Sequence, residues 1–106
     1  MIRFEKVTKE YDEETVAVKD ITFEIPSREL TVLIGPSGCG KTTTLKMINR
    51  IIRPTAGRIL IDGNDVTEMD IRQLRRGIGY VIQNVGLFPH MSVKDNVATV
   101  PKLLKW

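Results

Sequence analysis

Apolar and polar residues alternate over Ile2–Val7 and again over Ile21–Ile25, the pattern of strands with one buried and one wet face, which suits an antiparallel pair. Between them, TKEYDEET is polar and turn-like, with one aromatic residue, Tyr11, standing in it. Leu30–Ile34, LTVLI, is a continuous apolar run rich in β-branched residues. That pattern predicts a strand covered on both faces at the centre of an α/β sheet. From Lys41 to Ile52 the spacing turns helical, with Leu45, Ile48 and Ile52 on one face and Met47 and Ile51 beside it. Pro54 and Gly57 stop that helix. RILID then reads as a short strand, Asp62-Gly63 as a hairpin turn, and Ile71–Arg76 as a short surface helix. Ile78–Gln83, IGYVIQ, is a further predicted strand. Ser92, with Asp95 three residues on, starts a last helix that Pro101 is expected to interrupt after about two turns.

Composition narrows the class. With 106 residues the chain holds one domain at most, and 42% hydrophobic with 27% charged residues argues against disorder. The net charge is +3, and no run of Lys/Arg exceeds two residues, so nucleic acid is not an expected partner. A single cysteine, Cys39, excludes an internal disulfide and suits a reducing compartment. The charged N-terminus does not resemble a secretory signal, and no apolar run approaches the roughly 20 residues of a membrane-spanning helix.

The chemistry concentrates in IGPSGCGKTTT, Ile34–Thr44. Gly35 to Thr42 matches G-x-x-x-x-G-K-[ST] at every fixed position, between a predicted strand and a predicted helix. Glycines let successive N–H groups converge on phosphate oxygens, and the helix N-terminus that follows favours an anion. The expected cradle is Gly35, Ser37, Gly38, Cys39, Gly40, Lys41, Thr42 and Thr43. Lys41 reaches the β- and γ-phosphates, the Thr42 hydroxyl binds Mg²⁺, and Thr43 donates to the α-phosphate. Cys39 occupies a variable position of the loop, where packing is expected of its thiol rather than redox chemistry.

Hydrolysis also needs a carboxylate on Mg²⁺. Asp62 ends an apolar strand and is the one candidate, which would make the chain a small self-contained kinase; the Gly63-Asn64 that follows favours a turn. A non-catalytic nucleotide-binding module is the other alternative.

The order of Tyr11, GPSGCGKTT, GRILIDG and IGYVIQNVGLFPHMSVKDNVA resembles the N-terminal half of an ABC-transporter ATPase subunit, and the later part is similar to importers of glycine betaine, carnitine and choline. The resemblance covers essentially the whole chain and implies an α/β P-loop NTPase fold, a mixed sheet with an antiparallel β subdomain. It makes 1–106 a truncated ATPase domain, with Walker A and Q-loop but without the LSGGQ signature, Walker B carboxylates and switch histidine. It further implies that Tyr11 stacks on adenine, and that Lys41 and Gln83 are catalytic. Gln83, as the Q-loop glutamine, would touch Mg²⁺ and the attacking water. Asn84–Met91 would receive the transmembrane permease subunit. Leu87 and Phe88 read equally well as that exposed surface or as core. His90 follows Gln83 too closely to be the switch histidine and is assigned no role. ATP and Mg²⁺ are the implied cofactors. A homodimer of ATPase subunits, with a substrate-binding protein acting indirectly, is the implied assembly, peripheral on the cytoplasmic face of the membrane. Alone, residues 1–106 are expected to bind nucleotide weakly or not at all, to lack turnover and to aggregate readily.

Overall fold

Ile2–Glu10 (β1) and Val16–Ile25 (β2) form the expected antiparallel pair, with Phe4 opposite Phe23 and their rings stacked 4.6 Å apart. The computed structural model describes residues 1–36, 38–84 and 86–106. Ala56–Ile61 (β3) pairs with the other edge of β1, placing Ile59 opposite Phe4, and the two-residue β4, Asn64–Asp65, returns along β3. The order β2-β1-β3-β4 leaves β1 flanked on both sides. That position explains why Phe4 and Val7 are fully buried. Asp62 and Gly63 both take left-handed backbone angles, φ 49° and 83°, as a two-residue hairpin turn of this twist requires.

Lys41–Ile48 (α1) buries Thr44, Met47 and Ile48 against the sheet, and Ile71–Arg76 (α2) adds Leu74 to the same core. Each fully buried side chain of this size contributes about 1.5–3 kcal/mol. Asp70 caps α2 by accepting from the N–H groups of Arg72 and Gln73, and Ser92 caps Val93–Leu103 (α3) by accepting from Asp95.

Four expectations are corrected. Leu30–Ile34 and Ile78–Gln83 are not strands, because no described segment lies beside them to complete a hydrogen-bonded ladder. Most of their side chains stand in solvent, with Leu30 and Val81 each 94% exposed, while Ile78 packs against the core. The antiparallel part of the sheet is thus present, and the two segments expected as its central strands have no ladder partner among the described residues.

Helix α1 stops at Ile48 rather than Ile52. Arg50 turns left-handed at φ 60°, and Arg75 crosses from α2 to donate to the carbonyls of Asn49 and Arg50, both at 3.1 Å. The buried face of α1 is Thr44-Met47-Ile48, and Leu45 is exposed. Finally, α3 continues through Pro101 to Leu103. The proline lies in its last turns, so only one ladder bond is lost there, and Leu104 still donates to Val100 at 2.9 Å.

Candidate functional site

The glycine loop is shaped by contacts its sequence demands. Cys39 N–H donates to the Pro36 carbonyl, and Gly38 and Gly40 follow at φ 81° and 99°. Gly40 is required twice over, by its left-handed backbone and by β2. A Cβ on it would stand 2.5 Å from the Ala17 carbonyl oxygen and 3.0 Å from Val18 Cγ2. From Gly40, α1 begins with no side-chain cap, and its first N–H groups have no intrahelical acceptor. These donors carry the positive end of the helix dipole toward the loop.

One cavity of about 720 Å³ opens over this helix end. It gathers Tyr11, Gly38, Gly40, Lys41, Thr42, Thr43 and Gln83, seven of the expected site residues, from three separate parts of the chain. Gly35 and Cys39 do not line it. A Cβ on Gly35 would meet the Cys39 sulfur, and the Lys41 ammonium donates to the Gly35 carbonyl. The Cys39 thiol is exposed, which corrects the expectation that it packs. Ser37 falls outside the described residues. Thr15, Val16, Ala17, Leu45, Tyr80 and Val81 complete the lining. Sequence reasoning missed all six, because nothing local in the chain tells that the end of β2 and the segment before Gln83 meet at the loop.

The electrostatics are one-sided. Among the described residues Lys41 is the only charged one lining the cavity, and no carboxylate joins it. A triphosphate fits such a site: it meets an ammonium and a helix N-terminus without an opposing anion. The donor set offered to Mg²⁺ is the Thr42 hydroxyl and the Gln83 amide, both neutral oxygens. Such a pair holds a hard cation only when phosphate oxygens supply the charge. No cluster of three or more His, Cys, Asp or Glu residues suited to a metal occurs among the described residues. Asp62 does not line the cavity. Its Oδ1 accepts from the Met1 ammonium at 2.8 Å, at the hairpin turn, so the turn reading holds over the metal-ligand one.

Tyr11 stands at the cavity rim, 53% exposed, with its hydroxyl 3.2 Å from Thr43 Oγ1. Asp12 supports the loop that carries it. Its carboxylate accepts from the N–H groups of Glu14 and Thr15 at 2.9 and 2.7 Å, which hold its pKa below the usual carboxylate value.

Beyond Gln83, Leu87 and Phe88 are exposed rather than tucked into the core, at 67% and 46%. Val85 lies outside the described residues. The segment is held from α3 by Asn96, which the sequence reading missed. Its side chain accepts from the Phe88 N–H at 2.9 Å and donates toward the carbonyls of Phe88, Met91 and Ser92. His90 packs edge-on to the Phe88 ring, 6.0 Å between centroids.

Comparison with known proteins places these features. The family model described as ABC transporter matches residues 18–105. The chain is 56% identical over all its 106 residues to the glycine betaine/carnitine/choline transport ATP-binding protein OpuCA of Bacillus subtilis (strain 168), covering 28% of that protein. It is 50% identical to the osmoprotectant import ATP-binding protein OsmV of Salmonella typhimurium, covering 29% of it. The chain therefore spans little more than a quarter of the curated relatives it matches. Among solved structures it is similar to the dimeric ABC transporter cassette MJ0796, with a TM-score of 0.81 at 33% identity, covering 100% of this chain and 48% of that one. A second MJ0796 structure, in a post-hydrolysis state bound to ADP and Pi, matches at a TM-score of 0.80. With 18–105 matched by one family and the whole chain superposable on its cassettes, this protein belongs to the ABC transporter family.

Proposed function

We propose that this chain is the nucleotide-gripping part of an ATP-binding subunit that drives uptake of a quaternary-ammonium osmolyte such as glycine betaine, carnitine or choline. The observation that carries the reading is one cavity in which a glycine loop, a helix N-terminus, Lys41, Tyr11 and Gln83 converge, with no acidic residue among its described lining. The relatives named for osmolyte transport support the solute class.

In this reading Tyr11 stacks on the adenine. The N–H groups of the loop and of α1 hold the phosphates, and Lys41 leaves the Gly35 carbonyl to neutralise the β- and γ-oxygens. Thr42 and Gln83 hold Mg²⁺ together with the phosphates, and the metal supplies charge neutralisation on the γ-phosphoryl group. Gln83 also orients the attacking water. Lys41 and Gln83 are the catalytic residues within 1–106, and Gly35, Ser37 and Cys39 contribute loop backbone.

No LSGGQ signature occurs in residues 1–106. The signature, the Walker B carboxylates and the switch histidine belong to a longer parent subunit, so 1–106 alone does not turn over ATP. The parent works as a pair of ATPase subunits on the inner face of the membrane. Its permease contact is the Asn84–Met91 segment, where Leu87 and Phe88 are presented outward.

The test is uptake of labelled glycine betaine, carnitine and choline by a strain stripped of its own osmolyte importers. The strain carries the full-length subunit with its cognate permease and binding protein. Uptake that rises with the wild type and is lost with Lys41→Ala supports the assignment. Equal uptake with both, or none of any quaternary amine, overturns it.

A further inference from the structure

Tyr11 is fixed from three directions. Its backbone N–H donates to the Thr15 carbonyl at 2.9 Å, closing the loop between β1 and β2 over the Asp12 carboxylate. Its hydroxyl reaches Thr43 Oγ1 on α1. From β1, the Lys9 ammonium stands over the ring, 5.3 Å from its centroid.

A planar ring has two faces. Tyr11 lines the cavity and Lys9 does not, so the ammonium holds the ring without itself lining the space a base would enter. A cation on one face draws the π-electrons toward itself, which makes the opposite face a better partner for an electron-rich purine. It also restricts a half-exposed ring whose freedom an arriving base would otherwise have to remove.

We infer that Lys9 is a positioning residue for the nucleobase, acting through Tyr11 rather than touching the nucleotide. The inference rests on the nucleotide reading above and adds to it a contributor outside the glycine loop. Its effect belongs to the base alone. A ligand with the same phosphates and no base gains nothing from Lys9.

The test compares Mg-ATP with Mg-tripolyphosphate, each titrated calorimetrically into the full-length subunit. Lys9→Met weakens ATP by up to about five-fold, the ceiling set by a solvent-exposed cation–π contact, and leaves tripolyphosphate unchanged. Lys9→Arg, which keeps the cation, restores the wild-type ratio of the two affinities. An unchanged ATP affinity in Lys9→Met overturns the inference. So does an equal loss for both ligands, which marks a merely structural residue. Tyr11→Ala, run alongside, lowers the same ratio at least as far. A ratio that Tyr11→Ala leaves untouched also overturns the inference, by removing the stacked base, whereas a wild type that binds neither ligand refutes the nucleotide reading itself.

Discussion

Gly40 and Ala17 bring the glycine loop and β2 into backbone contact. A Cβ on Gly40 would lie 2.5 Å from the Ala17 carbonyl oxygen, so that position is closed to any side chain. The contact seats the N-terminus of α1 at the cavity wall that Thr15, Val16 and Ala17 provide. Gly40→Ala must push the loop off the strand while holding a φ of 99° that alanine disfavours. A strained backbone of this kind costs about 1–3 kcal/mol. The variant is expected to melt at lower temperature and to lose ATP binding by more than the melting shift alone accounts for; unchanged affinity would show that the loop tolerates displacement.

Asp12 predicts an acid-sensitive Tyr11 loop. Hydrogen bonds from the backbone of Glu14, then of Thr15, hold its pKa below the ordinary value of 3.8. A carboxyl depressed in the folded state contributes stability that is fully present above its unfolded pKa. That contribution is lost as pH falls through the lower folded value. The Asp12 contribution to loop order is therefore constant at neutral pH and down to about pH 5, and is lost only below the 3.8 reference. An NMR titration of the Asp12 carboxyl with its midpoint at or above 3.8 would refute this, as would an unperturbed loop in Asp12→Ala.

Asn96 is expected to separate transport from nucleotide binding. One side chain ties Phe88, Met91 and Ser92 together from α3, far along the chain from the glycine loop. Asn96→Ala removes a brace worth about 0.5–1.5 kcal/mol per hydrogen bond and loosens the outward Leu87-Phe88 segment. Osmolyte uptake falls while ATP affinity of the subunit holds. Loss of both together would place Asn96 in general folding instead.

Residues 1–106 expressed alone are expected to self-associate. Leu30, Val32, Ile34 and Val81 sit on segments with no ladder partner among the described residues, each at least two-thirds exposed. Unpaired extended backbone with apolar side chains recruits other copies. Light scattering behind a sizing column should show mass well above one chain, whereas a clean monomer would contradict this.

How much was legible in the sequence follows from the range of each interaction. The β1–β2 pair, the Asp62-Gly63 turn, the Asp70 and Ser92 caps and the start of α1 rest on alternation, turn chemistry or spacing within a few residues. Local pattern reads them directly, except the Asp70 cap, which the pattern reading did not single out. The end of α1 depends on Arg75 reaching back to the Asn49 and Arg50 carbonyls, a contact across 25 or 26 positions that no local rule encodes.

The two central segments show the converse. Their apolar, β-branched composition is that of buried strands, yet a strand exists only when neighbours complete it, and no described segment does so. The cavity divides along the same line. The glycine-loop motif announced Gly38, Gly40, Lys41, Thr42 and Thr43, and family likeness added Tyr11 and Gln83. The remaining wall comes from β2 and from Tyr80-Val81, which only folding brings there. Lys9 and Asn96 were silent for the same reason, each acting on a side chain or loop that tertiary structure puts within reach.

The central claim is that backbone N–H groups at the start of α1, with the Lys41 ammonium, form a socket for a triphosphate. Calorimetric titration of the full-length subunit with Mg-ATP, wild type against Lys41→Ala, tests it most directly. The account predicts saturable one-to-one binding that the substitution weakens at least about ten-fold, the scale of one lost charge-assisted contact of 1.4 kcal/mol or more. Equal affinity in the two proteins, or a wild type indifferent to ATP, would contradict it.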